Sequence, residues 1–147
     1  MPAAPRVITY IDTSVWCAYC FNEPEAPAAV RWLAEAELDR TATALWAHTE
    51  FASACGIKLR AKGQTTQAVT RARQAFDSAV SMAHRLEAIP DDFLYAAELC
   101  LSSAVKLRGG DALHLAIALR HHCKALASLD KDMVEAAQHL GLQATVF

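Results

Sequence analysis

Four acidic side chains stand where carboxylates can act together. Asp12 and Asp130 each follow a short apolar run, and Glu50 and Asp111 fall in the first turns of predicted helices. If the four share a cleft they repel one another: at an effective dielectric of about 20, one pair about 4 Å apart costs on the order of 4 kcal/mol. Such a cluster persists with protonation or a bound cation, and an oxygen-only set suits Mg²⁺ or Mn²⁺. The pattern predicts a metal site that activates water.

A different chemistry is indicated by Cys17-Ala18-Tyr19-Cys20, which has the spacing of a redox dithiol and follows Trp16. Thioredoxin-like proteins place the reactive cysteine of such a motif at a helix N-terminus, where its pKa is lowered. Here Asp-Thr-Ser takes that place and moves Cys17 about one turn into the helix. We therefore interpret both cysteines as packing residues, and a thioredoxin-like redox function of Cys17 and Cys20 remains an alternative.

Two further motifs each lack a required partner. Asp12 resembles the nucleophile of haloacid-dehalogenase-like phosphatases, but Ser14 stands where that family has a second acid. His48-Thr49-Glu50 matches half of a zinc deaminase signature, and the Pro-Cys-x-x-Cys half is absent from the sequence.

The bulk properties favour a compact intracellular protein. The chain has 147 residues, of which 54% are hydrophobic and 20% charged. We expect a single domain over residues 1–147, with residues 1–6 as a flexible tail. Five cysteines are an odd number, which favours reduced thiols and a cytoplasmic location. No stretch reads as a signal peptide or a membrane span. The net charge of −2 means that attraction to nucleic acid needs a local basic patch.

Short strands are predicted to alternate with helices, which implies a mainly parallel sheet with helices on both faces, a three-layer α/β/α sandwich. In such a sheet, sites form at the carboxyl ends of strands, which favours Asp12 over the cysteines. Strands are predicted at residues 7–11, 41–45, 87–89, 125–129 and 144–147. Helices are predicted at residues 15–21, 28–38, 48–62, 65–83, 90–107, 111–120 and 131–140, with a turn at Gly109-Gly110.

Four segments resemble the acidic motifs of PIN-domain ribonucleases, in the same order and over nearly the whole chain. They are "YIDTSVW", "HTEFASA", "GGDALHLAIAL" and "ASLDKDM". The short length is similar to that of the toxin half of VapBC toxin–antitoxin modules. The resemblance implies an α/β/α sandwich that cuts RNA with Mg²⁺ or Mn²⁺. It also implies a homodimer and a small antitoxin that inserts a segment across the acidic cleft.

The resemblance also assigns roles to residues. Asp12, Glu50, Asp111 and Asp130 take the catalytic and metal-binding positions, with Asp12 and Asp111 as the expected direct ligands. Supporting positions are matched by Ser14 and Ser128, and by Asp132 as either a fifth acid or a helix cap. His114 lies one turn after Asp111; it can face the cleft, but a packed, hydrogen-bonded histidine is the favoured interpretation.

Basic residues give a weaker indication of RNA binding, at Lys58, Arg60, Lys62, Arg108 and Lys131. Few aromatic residues lie between them, so base stacking is not predicted. The main alternative is a catalytically silent PIN-fold module that binds RNA or protein. The complete set of four acids favours the enzyme.

Overall fold

The computed structural model describes residues 6–147, so residues 1–5 of the predicted tail lie outside the described residues. The strands are β1 Thr9–Ile11, β2 Thr41–Ala44, β3 His84–Leu86, β4 Ala125–Ala127 and β5 Gln143–Thr145. The helices are α1 Thr13–Phe21, α2 Pro27–Glu35, α3 Trp46–Arg60, α4 Thr66–Val80, α5 Pro90–Leu101, α6 Gly109–Arg120 and α7 Lys131–His139. Across residues 6–147, no helix combines the length and apolar character needed to cross a membrane.

The sheet has the order β3-β2-β1-β4-β5, and every neighbouring pair is parallel. Parallel strands end at the same edge, so the residues that follow β1 and β4 lie side by side. The chain runs outward from β1 in one direction first and then returns to add β4 on its other side. Ligands of open parallel sheets bind at such a switch point, and Asp12 and Asp130 follow the two strands that flank it.

Helices cover both faces of the sheet. One face packs against α1 to α4, with Ile11 of β1 among Trp16, Phe51 and Phe76. On the other face, Tyr10 of β1 packs with apolar residues of α5, α6 and α7. Successive residues of a strand point to opposite faces, so adjacent residues of β1 serve the two cores. The predicted three-layer sandwich is confirmed.

A partly buried ion pair fixes α6 against α5. Arg120 at the end of α6 donates to both carboxylate oxygens of Asp92, at 2.7 and 3.0 Å. Asp92 is 2% exposed, and it also accepts from the backbone N–H of Ile89, where α5 begins. Because α6 carries Asp111 and His114, this contact positions the part of the site that α6 supplies.

Several predicted boundaries are wrong. The third strand is β3 at His84–Leu86 rather than at residues 87–89, and α4 ends at Val80 before Ala83. The first two residues of β3 are exposed, so this edge strand has no apolar run to mark it. Helix α5 ends at Leu101 rather than at 107, and Gly109 and Gly110 form the first turn of α6 instead of a preceding turn.

Candidate active site

Asp12 lies at the back of the site, 4% exposed, and caps α1. One carboxylate oxygen accepts from the backbone N–H of Ser14 at 3.1 Å and from the Ser14 hydroxyl. The other accepts from the Ser128 hydroxyl at 2.8 Å. Burial raises the pKa of Asp12 above its ordinary value, and the bonds from the two serines offset part of this shift.

The two serines connect Asp12 to the segment after β4. Ser14 Oγ accepts from the backbone N–H of Leu129, and Ser128 Oγ accepts from that of Asp130, both at 3.0 Å. Each hydroxyl therefore donates to Asp12 and accepts from the loop. Hence Ser14 and Ser128, which the sequence places in supporting positions, fix the distance between Asp12 and Asp130.

Asp130 is the residue that caps α7. Its Oδ1 accepts from the backbone N–H groups of Asp132 at 2.9 Å and Met133 at 3.2 Å. The capping role considered for Asp132 therefore falls to Asp130, because the cap lies one residue before the first helical turn. The Asp132 carboxylate instead lies 3.6 Å from the ammonium group of Lys106.

Glu50, on α3, is tied to two neighbouring elements. Its Oε1 accepts from the Thr13 hydroxyl of α1 at 2.7 Å and forms a hydrogen bond with His114 Nε2 of α6. Burial raises the pKa of Glu50, but the bonds from His114 and Thr13 outweigh burial, so the net pKa is below the ordinary value. The carboxylate is therefore ionised at neutral pH.

The pKa of Asp111 shows the effect of the negative charges around it. Burial, followed by the charges of Asp130, Asp12 and Glu50, raises its pKa from 3.8 to about 6. Residues that lie far apart in the chain thus share one electrostatic environment, and the repulsion expected among them contributes to the raised pKa of Asp111.

The acids open into a cleft of about 630 Å³. Glu50, Asp111, Asp130 and Asp132 line it, together with Trp46, Leu107, Gly110 and two basic residues, Lys106 and Arg108. Sequence reasoning identified Arg108 but missed Lys106, which shows no pattern beyond a single exposed lysine. Lys131 lies on a neighbouring surface, beside Leu129 and Phe147.

The remaining predicted basic residues are not brought to the cleft. Lys58 pairs with Glu23 at 3.2 Å, and the guanidinium group of Arg60 lies beside Gly56. Lys62 follows the end of α3. At 1.5 Å per residue, Lys58 lies about 12 Å along the helix from Glu50. These three basic residues therefore lie at the end of α3 that is far from the cleft, where they can form ion pairs or face solvent.

The donor set fits a hard divalent cation. Across residues 6–147, Asp111, Glu50 Oε2 and Asp130 Oδ2 receive no hydrogen bond, and oxygen donors suit Mg²⁺ or Mn²⁺. A Cβ atom on Gly110 would lie 3.2 Å from Glu50 Oε2, so the glycine keeps this oxygen accessible. In the described part of the chain no three acidic, histidine or cysteine side chains are already gathered as ligands of one ion.

Sequence reasoning missed three side chains at the site. Thr13 stands beside Asp12, and its hydroxyl was a usable signal. The sequence carries no signal for Tyr10 or Trp46. Each has a largely apolar ring that is typical of a core residue, and each contributes to the site through a single polar atom. The indole N–H of Trp46 is buried and has no acceptor among residues 6–147; it lies beside Gly110, whose Cβ position is 3.4 Å from the indole nitrogen.

A parallel sheet between two helical layers, with acids from four segments at its switch point, is the architecture of a PIN domain. The PIN domain model matches residues 9–138, and the chain belongs to this family. No curated protein sequence matches it.

Solved structures share the fold at low sequence identity. VapC20 of Mycobacterium tuberculosis, a sarcin-ricin loop cleaving toxin, is 18% identical with a TM-score of 0.66, covering 87% of this chain and 94% of that one. FitAcB of Neisseria gonorrhoeae is 13% identical with a TM-score of 0.67, covering 95% and 97%. VapBC2 of Rickettsia felis, bound to a promoter DNA fragment, is 12% identical with a TM-score of 0.63, covering 95% and 98%.

Proposed function

We propose that this chain is a metal-dependent endoribonuclease and the toxin of a type II toxin–antitoxin pair. The observation that carries the proposal is that Glu50, Asp111 and Asp130, from three segments of the chain, line one cleft, and that the charge of the buried Asp12 acts on Asp111 there as well. Structural ion pairs do not require four like charges at one place. The proposal is supported by membership of the PIN family and by the toxins among the proteins with the same fold.

The residues of the cleft divide the work. Asp111, Glu50 Oε2 and Asp130 Oδ2 present free oxygens to a cation, and Asp12 lies behind them, oriented by the two serines. A bound Mg²⁺ or Mn²⁺ would activate water and offset the charge that develops on a phosphodiester. Lys106 and Arg108 at the rim are placed to bind phosphates of the RNA backbone, which positions the strand without reading its sequence.

The proposal is tested with the purified chain on defined single-stranded and structured RNAs. We expect cleavage with Mg²⁺ or Mn²⁺, loss of cleavage with EDTA, and recovery when Mn²⁺ is added in excess of the chelator. Cleavage that continues unchanged in EDTA contradicts the metal-dependent mechanism. Binding without cleavage in every metal supports the catalytically silent module instead.

We also propose an antitoxin partner that lies across the cleft. An apolar cavity of about 410 Å³, lined by Phe93, Ala97, Cys100 and Leu113, adjoins the acidic cleft through Trp46 and Gly110. This arrangement supports an antitoxin segment that places an apolar side chain in the cavity and a basic side chain beside the acids.

The exposed apolar residues Leu94, Tyr95 and Leu101 of α5 support a homodimer. The single-domain organisation and the cytoplasmic location remain predictions.

The alternative of a thioredoxin-like redox function requires a reactive thiolate at Cys17 or Cys20. Both lie within α1 against the apolar core, and burial raises the pKa of each thiol to about 12, so neither is a thiolate at neutral pH. We expect the double variant Cys17→Ala/Cys20→Ala to cleave RNA at the wild-type rate with a lower melting temperature, because buried volume is lost. Insulin reduction by the wild type that disappears in the double variant would reverse this interpretation.

A further inference from the structure

A buried polar chain runs through the core to the acidic cleft. The hydroxyl of Tyr10, in β1, accepts from the backbone N–H of Ala44 at 3.2 Å and lies 2.5 Å from His114 Nδ1. The other ring nitrogen of His114, Nε2, bonds to Glu50 Oε1. Tyr10 is 0% exposed and His114 is 1% exposed, so water does not compete for these groups.

The partners fix the direction of each hydrogen bond. Burial raises the pKa of Tyr10 well above its ordinary value, so its oxygen keeps the hydrogen. Among residues 6–147, His114 Nδ1 is the only hydrogen-bond partner of the hydroxyl besides the Ala44 N–H, which is itself a donor, so the hydrogen is donated to Nδ1. A neutral imidazole carries one hydrogen, which then stands on Nε2 and is donated to Glu50. Each group thus donates to the next, from the Ala44 N–H in the sheet through Tyr10 and His114 to the carboxylate of Glu50.

Glu50 is held so that its two oxygens have different surroundings. Oε1 is taken by His114 and Thr13. Oε2 faces the open space next to Gly110. A carboxylate with one oxygen fixed in this way presents the other in a single orientation, which lowers the entropy lost when it binds a ligand.

We propose that Tyr10 and His114 are positioning residues that orient Glu50 for a divalent cation, a proposal that rests on the metal-dependent function above. Groups behind a metal ligand set its orientation and basicity, and their loss costs about 10- to 100-fold in metal affinity. Neither side chain lines the cleft. Their effect passes through Glu50.

The test compares Mn²⁺ affinity of metal-free variants by calorimetry. His114→Leu removes both ring nitrogens, and we expect about 10- to 100-fold weaker binding. His114→Gln keeps an N–H near the Nε2 position, and we expect affinity within about threefold of the wild type. Tyr10→Phe removes the hydroxyl that sets the tautomer, and we expect an intermediate loss.

Thr43→Val is the matched control. The Thr43 hydroxyl is also buried in the sheet, accepts from Trp16 Nε1 at 3.1 Å and donates to Ile11 O at 2.9 Å, but leads to no acid. We expect this variant to be less stable than the wild type and to bind Mn²⁺ with unchanged affinity. A general loosening of the core would weaken Mn²⁺ binding in Thr43→Val and Tyr10→Phe alike, which would overturn the proposal.

The outcomes separate this proposal from the function on which it rests. Wild-type affinity in His114→Leu overturns the positioning role and leaves the metal-dependent function intact. No Mn²⁺ binding by the wild type overturns both.

The ¹⁵N chemical shifts of His114 in the metal-free protein provide a second measurement that needs no metal. We expect Nε2 to be protonated and Nδ1 to be unprotonated. The opposite tautomer would contradict the proposed direction of the hydrogen bonds. Should His114→Leu fail to fold, His114→Gln and Tyr10→Phe still decide the question.

Discussion

Asp111→Asn is expected to abolish metal-dependent RNA cleavage and to raise the melting temperature of the metal-free protein at pH 7. Asparagine keeps the shape of the side chain but removes a charge that burial, Asp130, Asp12 and Glu50 all disfavour. The same change removes an expected direct ligand of the cation. Thermal melts and cleavage assays of both proteins measure the two effects.

The sign of the stability effect follows from the raised pKa. The carboxyl group of Asp111 has a pKa of about 6 in the folded protein, against 3.8 ordinarily. Its contribution to stability is fully present below pH 3.8 and is lost as the pH rises through 6. Two pKa units correspond to about 3 kcal/mol for a buried group, and solvent in the open cleft reduces this to about 1 kcal/mol. We therefore expect Asp111→Asn to be more stable than wild type above pH 6, and the difference to shrink at lower pH.

Asp91→Asn is the matched control, because Asp91 is an exposed acid in the first turn of α5 as Asp111 is in the first turn of α6. Loss of an acid near a helix N-terminus costs about 0.3–1 kcal/mol, so Asp91→Asn is expected to melt at or below the wild-type temperature and to cleave RNA normally. Mn²⁺ should raise the melting temperatures of the wild type and of Asp91→Asn clearly. It should raise the melting temperature of Asp111→Asn much less. An Asp111→Asn protein that behaves like Asp91→Asn would reduce Asp111 to a helix-terminus acid.

Asp12→Ala is expected to lose both stability and cleavage, whereas Asp12→Asn loses cleavage alone. Alanine removes the cap of α1, which costs about 1 kcal/mol, and leaves buried partners such as Ser128 without an acceptor, which costs about 1–3 kcal/mol more. Asparagine caps helices as well as aspartate does, and its amide N–H can donate to Ser128 Oγ, so residue 12 and Ser128 keep a hydrogen bond with the donor and acceptor exchanged. Denaturant unfolding of the two variants should differ by about 2–4 kcal/mol. Equal stabilities, or cleavage by Asp12→Asn at the wild-type rate, would contradict the role assigned to Asp12.

Parts of the site could be predicted from sequence because local patterns encode them. Asp12 and Asp130 follow apolar strands, and parallel strands end at one edge of the sheet. The contact of Glu50 with His114 joins two residues 64 positions apart, and nothing local to either residue encodes it. The pattern therefore predicted a packed histidine correctly but could not give its partner.

The basic residues of α3 illustrate the same limit. Lys58 and Lys62 form a recognisable cluster along one helix, but sequence spacing does not tell which end of the helix faces the cleft. Glu50 lies near the start of α3 and the lysines near its end. The residues that line the cleft instead, Lys106 and Arg108, come from the segment before α6, where irregular structure gives no periodic signal. Likewise, β3 is found through backbone pairing with β2 and not through apolar residues.

Anomalous diffraction from crystals grown with Mn²⁺ tests the central claim most directly, since it locates the cation independently of any RNA. We predict an anomalous peak in the acidic cleft, among the carboxylates of Asp12, Glu50, Asp111 and Asp130, and no such peak in Asp111→Asn at the same Mn²⁺ concentration. An empty cleft in the wild type at saturating Mn²⁺, or a peak of equal height in Asp111→Asn, would contradict it.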